Sequence, residues 1–425
     1  MLFRSRVRLR RTELLALRAV AAESREARLV AEALARQARF KLEVVPGSDV
    51  GRDALAAVRA ARRAGAARVE AEARLVLALH LGQRGRFAEA LVGSDAAKLV
   101  LRARGVEAPP VGGTAEDGRR LAAMLGVEIG IARASMLRQV GDVKAAVRAL
   151  AEAHARTIKH GQRRLLGRIY DELGMACLAQ GAAVDALRFF RASIGAEREL
   201  GSRERLGLTL AHAGLAYAAL DRTDRALAYL QRSVGVSAAT GRQGVGGGGA
   251  DAHVALAEML LVRRDLDGAA AELERARALA SRTGSLFEHF RVHLGEALLY
   301  LARRQHRLAR ITAEGAERTA REAGIVIEAL RARALAAEAA ALQGDRMAAW
   351  TYLDVVLGDP RMTEPARVYR GDAVLSSCGR ALQALGDETH AALLLRQAEG
   401  VRHALAQSFV AAVGVEPAEG ARSPA

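Results

Sequence analysis

A short motif recurs along the chain at intervals close to forty residues. It consists of a small residue, an apolar residue or Tyr three positions later, a Gly or charged residue at a turn, and an Ala five positions after the turn. The clearest copies are Leu173-Gly174…Cys177…Gly181…Ala186…Phe190 and Ala213-Gly214…Tyr217…Asp221…Ala226…Leu230. The first small residue of each copy lies at position 78, 134, 174, 214, 257, 297, 337 or 379. Periods of about 20–50 residues are typical of repeat architectures, so this regularity constrains the fold more than any other feature.

The two longest segments between neighbouring motif copies contain residues that favour loops. Residues 104–114 include Pro109-Pro110, and residues 243–250 include four consecutive glycines, so we interpret both stretches as loop insertions. Within each copy, the small residue and the Ala allow two helices to approach closely, and the turn residue ends the first helix. One helix pair cannot bury its apolar face alone. We therefore predict an all-α solenoid of about eight stacked antiparallel helix pairs over residues 66–408.

Composition supports the helical interpretation. Long stretches are rich in Ala, Leu, Arg and Glu, and only 4% of residues are aromatic. Strong helix formers therefore dominate, and the runs of β-branched residues typical of strands are missing. Residues 1–65 have a helical pattern and are predicted to be leading helices of a degenerate or truncated repeat. Residues 409–425 are predicted to form a disordered tail.

The motif resembles the signature of the tetratricopeptide repeat (TPR). The match is clearest at residues 173–190 and 213–230, although the period exceeds the usual value of about thirty-four. The Trp and the closing Pro of the consensus are absent. The longer period is similar to that of MalT-like TPR regions and of bacterial kinase- and ATPase-linked sensor proteins. The resemblance implies a right-handed superhelix whose concave surface, lined by the first helix of each pair, binds a protein or peptide.

Carrying over that geometry gives a set of polar residues expected to line the concave face. They are Arg138, Gln139, Arg168, Asp171, Arg291, Arg331, Glu338, Arg380 and Gln383. The set is weighted towards Arg, whose guanidinium binds carboxylates in bidentate fashion, so an acidic partner is favoured. We expect neither Arg168 nor Arg291 to fill the core. The carboxylate clamp of chaperone-binding repeats needs Asn, which the chain lacks.

The sequence contains two patterns that partly match catalytic motifs. The glycines at 244–249 lack the Lys that a P-loop needs, and His289 and His293 lack the Glu of a zinc protease motif. We interpret the two histidines as packing residues, and Cys177 and Cys378 as small buried hydrophobes. No Ser-His-Asp, paired-carboxylate or Rossmann pattern is evident. The sequence therefore predicts no enzyme activity, no cofactor and no metal.

The formal charge of +16 raises the question of a nucleic-acid partner. The basic residues are almost all Arg and are interspersed with acids, apart from one dense cluster at residues 4–11. We therefore interpret most of this charge as a solvated surface and do not expect nucleic acid to bind. No apolar run is long enough for a transmembrane helix, and the run at 14–17 is too short for a signal peptide. We expect a cytoplasmic protein.

These observations favour a binding role. We expect the chain to be a scaffold or sensor module within a larger bacterial signalling protein, with a protein or peptide on its concave face. The alternative is the ligand-sensing arm of a larger transcription regulator, or of a kinase or ATPase, whose effector domain lies outside this chain. No helix-turn-helix is visible within these residues.

Overall fold

A computed structural model describes residues 26–44, 50–103, 114–240, 249–365 and 370–405, with four single positions nearer the N-terminus (12, 15, 16 and 19). These ranges contain eighteen α-helices and no strand. The helices are α1 (Ala27–Val44), α2 (Val50–Arg63), α3 (Ala67–Gln83), α4 (Phe87–Ala103), α5 (Ala115–Gln139), α6 (Val143–Lys159), α7 (Leu166–Ala179), α8 (Ala183–Glu199), α9 (Arg203–Ala219), α10 (Thr223–Thr240), α11 (Gly249–Val262), α12 (Leu266–Thr283), α13 (Leu286–Ala302), α14 (His306–Glu322), α15 (Val326–Gln343), α16 (Arg346–Leu357), α17 (Gly371–Leu385) and α18 (Glu388–Leu405). Short 3₁₀ helices span Arg163–Leu165 and Pro360–Thr363.

From α3 onwards, odd-numbered helices carry the small anchor of each repeat and even-numbered helices carry the Ala after the turn; we call them A helices and B helices. Helices α3 to α18 alternate between the two types, and the prediction of an all-α solenoid of antiparallel helix pairs is confirmed. Helices α1 and α2 also pack against each other, ahead of those pairs. The chain divides into two compact units, Met1–Ile169 and Tyr170–Ala425. None of the described helices has the length and apolar character needed to cross a membrane.

The anchor of each A helix is small because its B helix packs directly against it. A Cβ atom added to Gly174 would lie 2.4 Å from Cε1 of the buried Phe190, and one added to Gly214 would lie 2.7 Å from Cγ of Leu230. Contacts this short are far inside van der Waals separation, so no larger side chain fits without displacing the core. The close approach expected from the motif is therefore confirmed.

The turn between each A helix and its B helix has a residue with left-handed backbone conformation. The predicted turn residues all have φ between +54° and +93°: Gly85, Gly141, Gly181, Asp221, Arg264, Arg304, Gly344 and Gly386. At one of them, the Arg304 N–H donates to the Leu301 carbonyl at 3.0 Å, and the next N–H donates to the Tyr300 carbonyl at 2.8 Å. This pattern satisfies two carbonyl groups that would otherwise be left unpaired at the end of the helix.

Replacing Arg304 with Gly should stabilise the protein. Arg304 has φ of +59°, a conformation that is strained for a residue with a Cβ atom and unstrained for Gly. We expect the free energy of unfolding to rise by about 0.5–1 kcal/mol in urea denaturation. The neighbouring Arg303→Gly is the matched control, since Arg303 has φ of −82° and Gly there should destabilise the protein. A loss of stability in both variants would contradict the explanation.

Several predicted segments lie outside the described residues. The tail at 409–425 is one of them, as is the basic cluster at 4–11. Most of each predicted loop insertion is also outside, although Thr114 caps α5 through its hydroxyl and Gly249 begins α11. These assignments stay predictions.

Candidate binding face

Two positions of each repeat place their side chains on the same side of the A helix. They are the residues six before and one after the small anchor, which are seven residues, or nearly two helical turns, apart. Both lie about 110° around the helix axis from the anchor, which faces the B helix. We call this side of the A helices, together with the side chains that pair with it, the A face.

Arg291 lies at the centre of a charged cluster on the A face of the second unit. Its side chain on α13 is almost completely buried, and the residue is 2% exposed. Its Nε lies 2.6 Å from Asp251 Oδ1 and its Nη2 lies 3.4 Å from Glu258 Oε1, both on α11. Its Nη1 lies 3.9 Å from Glu328 Oε2 on α15. One guanidinium therefore connects three successive A helices.

Glu258 is the second centre of this cluster. The Arg331 Nη2 donates to Glu258 Oε2 at 3.2 Å, and Arg370 Nη1 lies 3.9 Å from the same oxygen. Burial by itself raises the pKa of Glu258, but the guanidinium groups of Arg331, Arg291 and Arg370 outweigh that effect and lower the pKa to about 2. Glu258 is therefore a buried carboxylate that its neighbours keep ionised.

Glu328 is in a different electrostatic state. Burial raises its pKa above the usual value, and the carboxylates of Asp251 and Glu258 raise it further, while Arg291 and Arg331 act in the opposite direction. Glu328 therefore takes up a proton more readily than an ordinary glutamate. In its protonated form it can donate a hydrogen bond as well as accept one.

A bidentate ion pair extends the A face to α17. Arg380 donates from Nε to Glu338 Oε1 at 2.5 Å and from Nη2 to Oε2 at 2.8 Å. Glu338 is buried, whereas the Arg380 side chain is 47% exposed. The pair thus neutralises the buried carboxylate and leaves part of the guanidinium at the surface.

The first unit has its own ion-pair cluster on the A face. Arg39 of α1 donates from Nη2 to Glu128 Oε2 at 2.8 Å, and its Nη1 lies 3.5 Å from Glu72 Oε1. Arg168 Nη1 lies 3.9 Å from Glu128 Oε1. Burial lowers the pKa of Arg39, but Glu128, Glu72 and Glu43 outweigh it and raise the pKa above its usual value. Charges of opposite sign therefore connect successive A helices in this unit too.

Helix α9 interrupts the charged pattern with apolar side chains. Leu208 and Leu215 occupy the positions six before and one after its anchor, and both are half-buried. Leu298 of α13 occupies the same position as Leu215, one after the anchor, and is also half-buried. The A face of the second unit therefore combines partly exposed leucines with buried, paired charges.

Five of the nine residues predicted to line the concave face lie on the A face, and all five form ion pairs: Arg168, Arg291, Arg331, Glu338 and Arg380. The expectation that Arg291 does not fill the core is wrong, because its side chain is enclosed by three carboxylates. Arg168 is partly buried, with its side chain 17% exposed.

The other four predicted residues lie on three different A helices. Asp171 is buried, and its Oδ1 lies 2.9 Å from Nδ1 of His212 on α9. Arg138 and Gln139 are half-buried at the end of α5, and Gln383 is exposed near the end of α17.

The acids that pair with the predicted arginines were missed by sequence reasoning. They include Glu128, Asp251, Glu258 and Glu328. The repeat register does contain a pattern from which these acids could be predicted. The residue six before the anchor changes from Asp251 to Arg291 in consecutive repeats, so opposite charges lie one repeat apart on the same helix face.

The thiols and the histidine pair behave as packing groups. Cys177 and Cys378 are buried as predicted, and burial raises the pKa of each thiol to about 12. His289 and His293 are half-buried, and burial lowers the pKa of both. Among the described residues, no group of three or more His, Cys, Asp or Glu side chains is placed to hold a metal ion. Most of the Gly-rich stretch at 244–249 lies outside the described ranges.

No protein-family model and no curated protein matches the chain. Solved structures, by contrast, do match the chain. A Rap protein complexed with the competence and sporulation factor has a TM-score of 0.55 and 13% identity, covering 79% of this chain and 99% of that one. The Rap conjugation gene regulator of plasmid pLS20, in complex with the Phr* peptide, has a TM-score of 0.54 and 9% identity, covering 76% and 92%. Aspartyl phosphate phosphatase F from Bacillus subtilis has a TM-score of 0.50 and 12% identity, covering 86% and 97%.

These likenesses, all at low identity, establish the fold. The chain has a TPR-like helical solenoid fold, in agreement with the resemblance found in the repeat motif.

Proposed function

We propose that the chain is a peptide- or protein-binding module, a scaffold or sensor, and that it acts by binding rather than by catalysis. The partner lies along the A face of the second unit. The observation that carries this proposal is the mixture of groups on that face: the half-buried leucines of α9 lie on the same face as the paired charges of α11 to α17.

This mixture suits an extended peptide. A peptide bound in extended form presents N–H and C=O groups that must be satisfied when water is excluded. The Arg380 guanidinium, whose side chain is 47% exposed, can donate to a C=O group of the peptide. The leucines provide apolar contact for a side chain of the peptide. Two of the similar solved structures are complexes with the competence and sporulation factor and with the Phr* peptide, which supports the same use of this fold here.

The ion pairs on the A face are the basis for the charge that we propose for the partner. Four arginines and five acids meet on the A face of the second unit: Arg291, Arg331, Arg370, Arg380, Asp251, Glu258, Glu328, Glu338 and Asp372. The face is therefore close to neutral. We propose a partner with both apolar and polar side chains and no strong net charge; the acidic partner expected from the Arg content is the alternative.

The setting we propose is a signalling protein of the bacterial cytoplasm. The resemblance to sensor repeats and the peptide complexes of similar fold support a sensor. An arm of a transcription regulator, kinase or ATPase would use the same face, with its effector domain elsewhere.

Peptide binding to the A face can be tested with a display library of random linear peptides. We expect the full chain to enrich peptides that carry at least one large apolar residue. The double variant Leu208→Gln with Leu215→Gln should bind such a peptide with an affinity lower by about tenfold or more, because two leucine contacts are lost from the interface. Fluorescence anisotropy of the labelled peptide measures the affinity.

The matched control is Leu308→Gln with Ile311→Gln on the B helix α14. These side chains are 46% and 49% exposed and lie off the A face. Unchanged affinity in this control, with loss in the α9 variant, supports the proposal. Equal losses in both variants, or no enriched peptide, would refute it. An acidic partner would be recognised by a steep fall in affinity with salt.

A further inference from the structure

We propose a second binding site, independent of the A face, in the first unit: a cavity between α2, α3 and α4 that binds an apolar molecule or residue ending in a carboxylate. The cavity has a volume of about 560 Å³. That size falls within the range of about 300–1,000 Å³ found for small-molecule sites. It is lined by residues of the described helices, among them Arg52, Leu55, Arg59, Leu77, His80 and Leu81.

Helix α2 supplies one wall. Arg52, Leu55 and Arg59 are spaced by three and four residues, so the three side chains follow one stripe of the helix. Leu55 is 45% exposed, an uncovered apolar group between two cations. Arg52 and Arg59 are exposed, and within the described ranges neither forms an ion pair or a hydrogen bond through its side chain. Most of the arginines of the A face, by contrast, are neutralised by carboxylates.

Helix α3 supplies another wall. Leu77 and Leu81 are one turn apart and half-buried, and His80 between them is 8% exposed. These residues give the cavity an apolar interior beside an imidazole. A ligand that enters would cover the side chains of Leu77, Leu81 and Leu55 together, which is favourable in proportion to the apolar area removed from water.

The mouth of the cavity is positively charged. At the start of α4, Arg86 donates to Glu89 from Nε and from Nη2, both at 2.6 Å, so these two charges neutralise each other. Arg52 and Arg59 are left as the uncompensated charges of the lining. A carboxylate is the group that guanidinium binds in bidentate geometry. The cavity thus combines an apolar interior with a site for an anion at its edge.

The ligand chemistry is an apolar body that carries one carboxylate. A small organic acid and the C-terminal residue of a peptide both provide it. Acetate has the charge without the apolar body, and a cationic surfactant has the apolar body with the wrong charge, so both should bind poorly.

The test uses the full chain and decanoate as the probe, in isothermal titration calorimetry below micelle-forming concentrations. We expect decanoate to bind with a Kd on the order of 0.1 mM, and acetate and decyltrimethylammonium to bind much more weakly. The double variant Arg52→Glu with Arg59→Glu should lower the affinity for decanoate by about tenfold or more. The two positive charges at the mouth become negative and repel the carboxylate. Both side chains are exposed, so the fold should be retained, as circular dichroism would verify.

Arg63→Glu with Arg148→Glu is the matched control. These arginines are exposed in the same unit, lie outside the cavity, and change the net charge by the same amount. Loss of decanoate binding in the cavity variant alone supports the site. Equal loss in the two variants, or failure of the wild-type chain to bind decanoate more tightly than acetate, would overturn it.

A second comparison identifies the source of the carboxylate. The peptide Ala-Leu-Leu with a free C-terminus is titrated beside the same peptide with a C-terminal amide. Preference for the free acid over the amide, sensitive to the Arg52 and Arg59 reversal, identifies a peptide terminus as a ligand. Decanoate binding without any binding of the peptide acid identifies a small organic acid.

Discussion

Replacing Arg291 with Met should lower the free energy of unfolding by about 3–5 kcal/mol. Met fills much of the same volume but leaves Asp251, Glu258 and Glu328 without the guanidinium that faces all three. Removing one partner from a buried group of charges is costly because the remaining charges stay desolvated and uncompensated. Urea denaturation of the full chain at neutral pH measures the effect.

The pH dependence of this variant adds a second check. Without Arg291, the folded-state pKa values of Glu258 and Glu328 rise, so the folded variant binds protons more readily than the folded wild type. The destabilisation should therefore be largest at neutral pH and shrink as the pH falls towards 4. The control is Arg282→Met on α12, where Arg282 is exposed and should contribute less than about 1 kcal/mol. Similar losses in the two variants would show that the buried cluster does not stabilise the fold.

Replacing Glu258 with Gln should remove about 3 kcal/mol of stability at neutral pH. The folded-state pKa of about 2 lies well below the ordinary value of 4.5, and Glu258 is 7% exposed. A depressed folded-state pKa gives stability that is fully present above the ordinary pKa. That stability is lost as the pH falls from about 4.5 towards 2.

The measurement is urea denaturation of wild type and Glu258→Gln at pH 7 and at several values down to pH 3. We expect the difference in unfolding free energy to narrow on acidification. Glu274→Gln on α12 is the control, because the Glu274 side chain is 71% exposed and its removal should cost little at any pH. A difference between Glu258→Gln and wild type that stays constant with pH would contradict the assignment of Glu258 as an ionised buried group.

Local geometry explains why the repeat units were predictable from the sequence. The turn at Arg304 was placed correctly although it lacks Gly, because the spacing to the anchor fixes where one helix must end. The anchor Gly174 was recognised because its contact with Phe190 lies within one helix pair. Both features depend on residues close together in the chain.

The surroundings of the charged residues depend on neighbouring repeats and were harder to predict. Arg291 is buried because acids lie on the A helices before and after it, at Glu258 and Glu328. The sequence pattern of a single helix predicts that such a charged residue is exposed to solvent. The cavity at Arg52 and Leu55 was missed for another reason: α2 belongs to the leading segment, where no copy of the motif sets the register.

The A-to-B turns and the B-to-A junctions differ in how they tolerate added sequence. From α3 to α18, each A helix is joined to its B helix by two or three residues. The long connections all follow B helices, as between α4 and α5, α10 and α11, and α16 and α17. A reporter domain or epitope tag grafted at Gly112 or Gly246 therefore extends a junction whose length already varies. The same graft at Gly181 would separate two helices whose contact at Gly174 leaves no room for adjustment, which makes the B-to-A junctions the permissive sites for engineering this chain.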